Sequence, residues 1–252
     1  MKALLSSTYF GPIQWYQKLN RYDECLIERH ESFIKQTYRN RMIIPTTNGP
    51  LSLTIPTNHD ISLSMKDIRI SDHANWRHVH WNALLSAYGE SPFFEYYQDD
   101  IRPFYEKKYE FLFDFNMETT EKMIELLDIR PKISITEEYI LSEERRMKSG
   151  EFNGLANHKV QSEESEEQRT KSEEFDSIAN HKVQSSNLKV QSKEVQSIVD
   201  FRDAIRPKKP LPDAEFAPQR YYQVYGQKHG FLPNMSILDL LFNEGNEAIF
   251  YL

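Results

Sequence analysis

The stretch Leu4-Leu5-Ser6-Ser7-Thr8-Tyr9-Phe10-Gly11-Pro12-Ile13-Gln14-Trp15-Tyr16-Gln17-Lys18-Leu19 decides the fold class. Leu4–Tyr9 reads as a first strand. Gly11-Pro12 turns the chain, because glycine tolerates turn geometry and proline holds φ near the value of a helix start. Ile13–Leu19 then reads as a short helix with aromatic content, and Glu24–Glu28 as a second short strand. Strand, turn, helix and strand in that order open an α/β chain.

Working outward, Arg41–Ile44 and Leu51–Ile55 flank Pro45–Pro50, which contains Asn48-Gly49. Asn-Gly between apolar runs signals a hairpin, with a loop longer than two residues. Ile68–Ile70 alternates as a further strand. Asp72 or Asn75 is placed to cap a helix over Trp76–Tyr88, whose Trp76, His80, Leu84 and Ala87 recur at helical spacing; Gly89 and Pro92 end it. Pro92–Tyr97 and Ile101–Phe115 carry ten aromatic residues and also read as helical, Met117–Leu127 as an amphipathic helix and Lys132–Thr136 as a strand. Pro207–Pro218, with four prolines, is extended, and Ser236 caps a last helix, Ile237–Asn243. Strands first and helices in the middle and at the end predict α/β or α+β with a mixed sheet.

Between these parts the chain repeats itself. Leu155–Ser162 recurs as Ile178–Ser185, changed only at its first residue, with an offset of 23 residues. Gly150–Ser197 holds only Phe152 and Phe175 as aromatics and no proline, tryptophan or tyrosine, so it lacks the apolar surface to offset chain entropy. The expected organisation is one globular domain formed by residues 1–148 and 198–252, interrupted by a disordered low-complexity insert at 149–197. Deleting Gly150–Ser197 is expected to leave a cooperative thermal melt intact.

The totals narrow the function classes. A net charge of −7 argues against a nucleic-acid or anionic-membrane binder. Cys25, the single cysteine, excludes an intrachain disulfide and a cysteine zinc site, and fits a reducing compartment. The opening apolar run ends after three residues, short of a signal peptide, and no run approaches a membrane span, so a cytoplasmic location is expected.

Three constellations could carry chemistry. Asp72–Asn82 holds His73, His78 and His80. On a helix, side chains two apart diverge by ~200°, so no metal site is expected. His80 reads either as a hydrogen-bonded core histidine or as a general base titrating near neutrality. In Lys35–Arg41, Arg39 and Arg41 frame an asparagine just before a strand; on a strand they would share one face, as a solvated edge or as an anion site such as one for a sugar-nucleotide diphosphate. Asp239 lies in the first turns of the last helix, as a dipole-stabilising acid or an inward-facing base. There is no glycine-rich phosphate loop and no Gly-X-Ser-X-Gly elbow, and the cofactor is left unassigned.

These blocks, in order, resemble the WbqC-like family of bacterial proteins. The matching stretches are Tyr9-Phe10 through Lys18; Tyr38–Arg41 with Asn48–Pro50 and Leu53–Pro56; Trp76, His80, Tyr88 and Pro92–Phe94; and Phe231–Asn243. Within them His80 and Asp239 are the catalytic candidates. Lys18, Tyr38, Arg39, Asn40, Arg41, Trp76 and Asn234 are the substrate-binding ones. The resemblance implies a role tied to O-antigen or other surface-polysaccharide gene clusters. Acyl or aminoacyl transfer to an activated sugar would make a sugar nucleotide, or another phosphorylated small molecule, the partner. The alternative is a non-catalytic binding or assembly protein using the aromatic-rich Pro92–Phe115 face. Two departures stand out. The family often has His-Gln-Pro after its first strand, where this chain has Leu5-Ser6-Ser7. It also often has a glycine-containing segment where this chain carries the repeats.

Overall fold

The computed structural model describes residues 1–58, 63–141 and 197–252. The chain divides into one unit of Met1–Ile140 with Gln196–Leu252 and a second of Leu141–Val195. The repeats therefore lie outside the described residues. Ser197 belongs to the first unit: its carbonyl accepts from Lys2 N at 3.1 Å. A deletion that tests the insert should stop at residue 195.

The first unit is built on four parallel strands, β1 (Lys2–Ser6), β2 (Glu24–Glu28), β7 (Ile133–Ile135) and β8 (Ile198–Asp200), in the order β7-β2-β1-β8. Ala3, Leu4 and Leu5 are buried without alternation, as expected where both faces of a parallel sheet are covered. Helix α1 (Ile13–Arg21) is buried from Ile13 to Leu19 and connects β1 to β2. The antiparallel pairs form separate ladders: β3 (Arg41–Thr46) with β4 (Gly49–Thr54), and β5 (Thr57–Asn58) with β6 (Arg69–Ile70). The class is α/β, with its parallel and antiparallel parts segregated. The β3–β4 loop is tighter than expected. Pairing continues through Pro45 opposite Pro50 to Thr46 opposite Gly49, leaving only Thr47 and Asn48 in the turn, and Gly49 sits at φ 98°, which favours glycine.

Helix α2 (Trp76–Tyr88) has the expected bounds, but neither Asp72 nor Asn75 caps it through its side chain. Asn75 is itself left-handed, at φ 44°, and Asp72 pairs with Arg77 and Lys108. The aromatic stretch is broken into α3 (Phe94–Ile101), α4 (Pro103–Glu106) and α5 (Leu112–Leu126). Proline at 103 favours a fresh helix start over continuation. Phe94, Tyr97, Phe104, Tyr105, Phe113 and Phe115 are buried, while Phe93 and Tyr96 are exposed. Most of the aromatic-rich stretch therefore makes core rather than a docking face. The C-terminal helix Ile237–Glu244 is capped by Ser236 Oγ, which accepts from Leu238 N at 3.4 Å. No helix among the described residues is long and apolar enough to cross a membrane.

Candidate site at the carboxyl ends of β1 and β8

In chain order the four parallel strands sit 3-2-1-4, so the connections diverge between β1 and β8. In open α/β sheets that divergence leaves a crevice beyond the carboxyl ends of the strands, where ligands bind. A small pocket of about 10 Å³, room for about one water, lies there, lined by Leu5, Ser6, Thr8, Trp15, Tyr38, Arg39, Phe201, Arg202 and Ile205.

Two buried guanidinium groups flank it. Arg39 donates to Glu31 Oε1 through Nε at 2.8 Å, to Glu31 Oε2 and Ser6 Oγ through Nη2, and to Thr37 Oγ1 through Nη1 at 3.2 Å. Arg202 donates to Asp200 Oδ1 through Nε and to Asp200 Oδ2 and the Ile140 carbonyl through Nη2. Its Nη1 has no hydrogen-bond acceptor among the described residues and is ion-paired with Glu28 Oε2 at 3.6 Å. Thr8 Oγ1 is likewise buried without a partner.

The loop after β1 is held in an unusual shape. Phe10 sits at φ 40°, and a Cβ on Gly11 would fall 2.3 Å from Thr8 Oγ1. The C-terminal segment fixes this loop: Ser236 Oγ donates to the Phe10 carbonyl at 2.7 Å and Ile237 N to the Gly11 carbonyl at 2.9 Å. It also covers the start of α1, where Ile13 N donates to the Met235 carbonyl and Gln14 N to Asn234 Oδ1. Helix N-termini otherwise attract phosphates; in this chain those amides are spoken for.

The expected site residues separate into several clusters. Arg39 lies in a turn before β3 rather than on a strand, so it does not share a face with Arg41, whose Nε donates to Thr54 Oγ1. Tyr38 reaches the pocket, and burial pushes its hydroxyl up to about 12. Asn40 donates to the Ile55 carbonyl. Lys18, 1% exposed, is clasped by Asp213 and Glu215 and lies 4.3 Å over the Phe201 ring. Asn234 exchanges hydrogen bonds with Gln14. Trp76 packs edge-on to His80, Tyr105 and Phe115 in the core.

His80 is buried against Tyr9, its Nδ1 2.9 Å from the Tyr9 hydroxyl. Burial pushes the imidazole down to about 4, against an opposing hydrogen bond that it donates to the Thr54 backbone. A histidine held neutral in the folded state contributes stability that is complete above its unfolded value and is lost as pH falls toward 4. From pH 6.5 to 4 that loss is about 3 kcal/mol. Denaturant midpoints across that range should fall more steeply for the natural chain than for His80→Gln. Parallel curves would remove His80 as the cause.

Asp239 is fully buried and accepts from Tyr221 and Gln223. Burial pushes its carboxyl up to about 6 despite those bonds. Its sign is opposite: the folded state holds the proton longer, so this contribution falls as pH rises from about 4 to 6. No hydrogen bond or ion pair joins His80, Arg39, Arg41 and Asp239 to one another among the described residues. Nor does any group of three or more His, Cys, Asp or Glu side chains there form a possible metal site.

The profile of the WbqC-like protein family matches residues 7–177 and 212–251, most of the chain. The chain belongs to the WbqC-like family. Among curated proteins it is 27% identical over 255 residues to the uncharacterized protein Rv1507c of Mycobacterium tuberculosis, across 99% of this chain and 96% of that relative. No solved structure matches it. In this WbqC-like chain the family blocks converge around the β1–α1 loop: Tyr9 pairs with His80, Tyr9 N with the Tyr38 carbonyl, and Gln14 with Asn234. The positions that depart from His-Gln-Pro end β1: Leu5 is core, Ser6 Oγ accepts from Arg39, and Ser7 Oγ accepts from Asn116. Sequence reasoning missed Thr8 and Arg202. The Asp200-Phe201-Arg202 spacing was visible, but its meaning depends on β8 lying beside β1.

Proposed function

We propose that this protein binds a sugar-based metabolite of surface-polysaccharide synthesis at the carboxyl ends of β1 and β8, presenting it rather than transforming it. The observation that carries this reading is the composition of the pocket. Its lining offers hydroxyls, guanidinium groups and apolar rings but no histidine, carboxylate, lysine or cysteine to serve as general base. His80 and Asp239, the catalytic candidates, are consumed by their own partners in the core. The link to surface polysaccharides comes from the family resemblance, and the reading puts the protein in the cytoplasm, where activated sugars are made. On this reading the globular unit works without the repeats up to residue 195.

The test is a thermal-shift titration of the full-length chain with uridine- and thymidine-diphosphate sugars. A ligand at a hundred times its Kd stabilises by about 2.7 kcal/mol, which is easily read. No shift with any of them would count against this reading. One observation favours acyl or aminoacyl transfer instead: Tyr9, hydrogen-bonded to His80, follows the pocket residue Thr8 by one position. Turnover of an acyl donor and an amino-sugar nucleotide that disappears in His80→Gln would establish that alternative.

A further inference from the structure

We propose that the loops after β2 and β8 form a docking surface for an anionic lipid bilayer, with Ile34 and Leu211 entering the headgroup layer and Lys35, Lys208 and Lys209 facing the lipid phosphates. The inference does not depend on what the pocket holds.

Its first support is the meeting of two loops. Because β2 and β8 both run parallel to β1, the loops that follow them leave the same end of the sheet. Lys208 Nζ then joins them, donating to Gln36 Oε1 at 3.3 Å. Ile34 is 38% exposed and Leu211 48%. Both are anchored through their backbones: the Ile34 carbonyl accepts from Thr37 Oγ1 at 2.8 Å, and Leu211 N donates to the Asp203 carbonyl at 3.0 Å. Single exposed aliphatic residues are common on protein surfaces. These two differ in being flanked by exposed lysine, in Ile34-Lys35 and in Lys208-Lys209-Pro210-Leu211.

The second support is charge. Lys35, Lys208 and Lys209 form no ion pair among the described residues, while the acids of these loops are engaged elsewhere: Asp203 with Arg206, Asp213 and Glu215 with Lys18, and Glu31 with Arg39. The exposed Glu137 and Glu138 follow β7, at the opposite edge of the sheet from β8. Screening confines attraction to about 8 Å at physiological salt, so this local excess, not the net charge of −7, governs an approaching surface. Composition selects the occupant. Protein interfaces are enriched in aromatic residues and arginine and depleted in lysine, and single-stranded nucleic acid stacks on aromatic rings. Lysines beside aliphatic tips suit a bilayer, since their stems let the ammonium groups reach phosphates while the tips enter below them.

The test is co-sedimentation of the full-length protein with phosphatidylcholine vesicles that contain or lack phosphatidylglycerol. Binding is expected only with phosphatidylglycerol, and it should fall steeply between about 0.05 and 0.5 M salt. Each lysine near an anionic surface strengthens binding by about fivefold. Lys35→Gln with Lys208→Gln and Lys209→Gln should therefore weaken it on the order of a hundredfold. Ile34→Ser with Leu211→Ser should weaken it about tenfold. All five side chains are exposed, so both variants should melt with the natural chain. Arg102→Gln with Arg130→Gln and Lys132→Gln removes the same charge from exposed positions elsewhere and should change binding far less. An equal loss in that control would make the effect one of net charge and overturn the inference. So would no binding at low salt, or lysine variants that bind like the natural chain. Release by millimolar glycerol 1-phosphate would mark a small-anion site instead. Serine variants that bind vesicles like the natural chain, with tight binding to polyglutamate, would mark a surface for an acidic polypeptide; either result overturns the bilayer.

Discussion

Glu31→Ala is expected to destabilise the protein by about 3–5 kcal/mol, because it strands a buried guanidinium. Arg39 is 3% exposed, and Glu31 takes two of its hydrogen bonds. Removing the carboxylate leaves the charge with only the hydroxyls of Ser6 and Thr37. Water is the usual remedy for such a charge, and burial denies it. Replacing both partners, as in Glu31→Ala with Arg39→Met, should cost clearly less than the sum of the single changes, because the second change removes the group the first one orphaned. Urea midpoints at pH 7, with an unchanged slope, give the comparison. A single-mutant cost below about 1 kcal/mol would mean the pair behaves like a surface salt bridge. The change should also loosen the Arg39 guanidinium at the pocket wall, so ligand binding and stability ought to fall together.

Trp15→Ala should be comparably severe, at about 3–5 kcal/mol, by opening a cavity beside the pocket. Trp15 is 1% exposed, packs edge-on to Tyr16 at 4.9 Å between centroids, and donates from Nε1 to the Ser6 carbonyl at 2.9 Å. The substitution removes a large buried ring and the donor that anchors the end of β1. Trp15→Phe separates the two effects, keeping most of the volume while leaving the Ser6 carbonyl unpaired. Its cost should be nearer 1–3 kcal/mol, the penalty of a buried unsatisfied acceptor. If the two variants melt together, the hydrogen bond rather than the ring dominates, and the cavity argument fails.

Much of the local structure was legible in the residues. Glu24–Glu28 and Trp76–Tyr88 form with the bounds their patterns predict, and Ser236 caps the last helix as its side chain suggests. Each depends on neighbours a few residues away: apolar spacing, a hydroxyl before a helix, Gly89 and Pro92 after one. The errors came where distant contacts outweighed that local pattern. Arg39 would have shared a face with Arg41 on a strand, but it lies in a turn that directs it to Glu31 and Ser6. The aromatics of Pro92–Phe115 offered a docking face as the alternative reading, and most of them pack inward, as Phe94 does against Phe242.

The sequence by itself determined the β1–α1–β2 opening, the class of the fold and the position of the repetitive stretch, because periodicity, composition and turn residues act over short spans of chain. Only the tertiary structure decided where the candidate site lies. Ser6, Thr8, Arg39 and Arg202 meet because β8, nearly two hundred residues downstream of β1, pairs with it rather than with β7. That pairing is a long-range backbone contact, and no local pattern encodes which strand a strand will join. Packing also decided between the two readings left open for Arg39, since the turn that carries it sets Glu31 against its guanidinium.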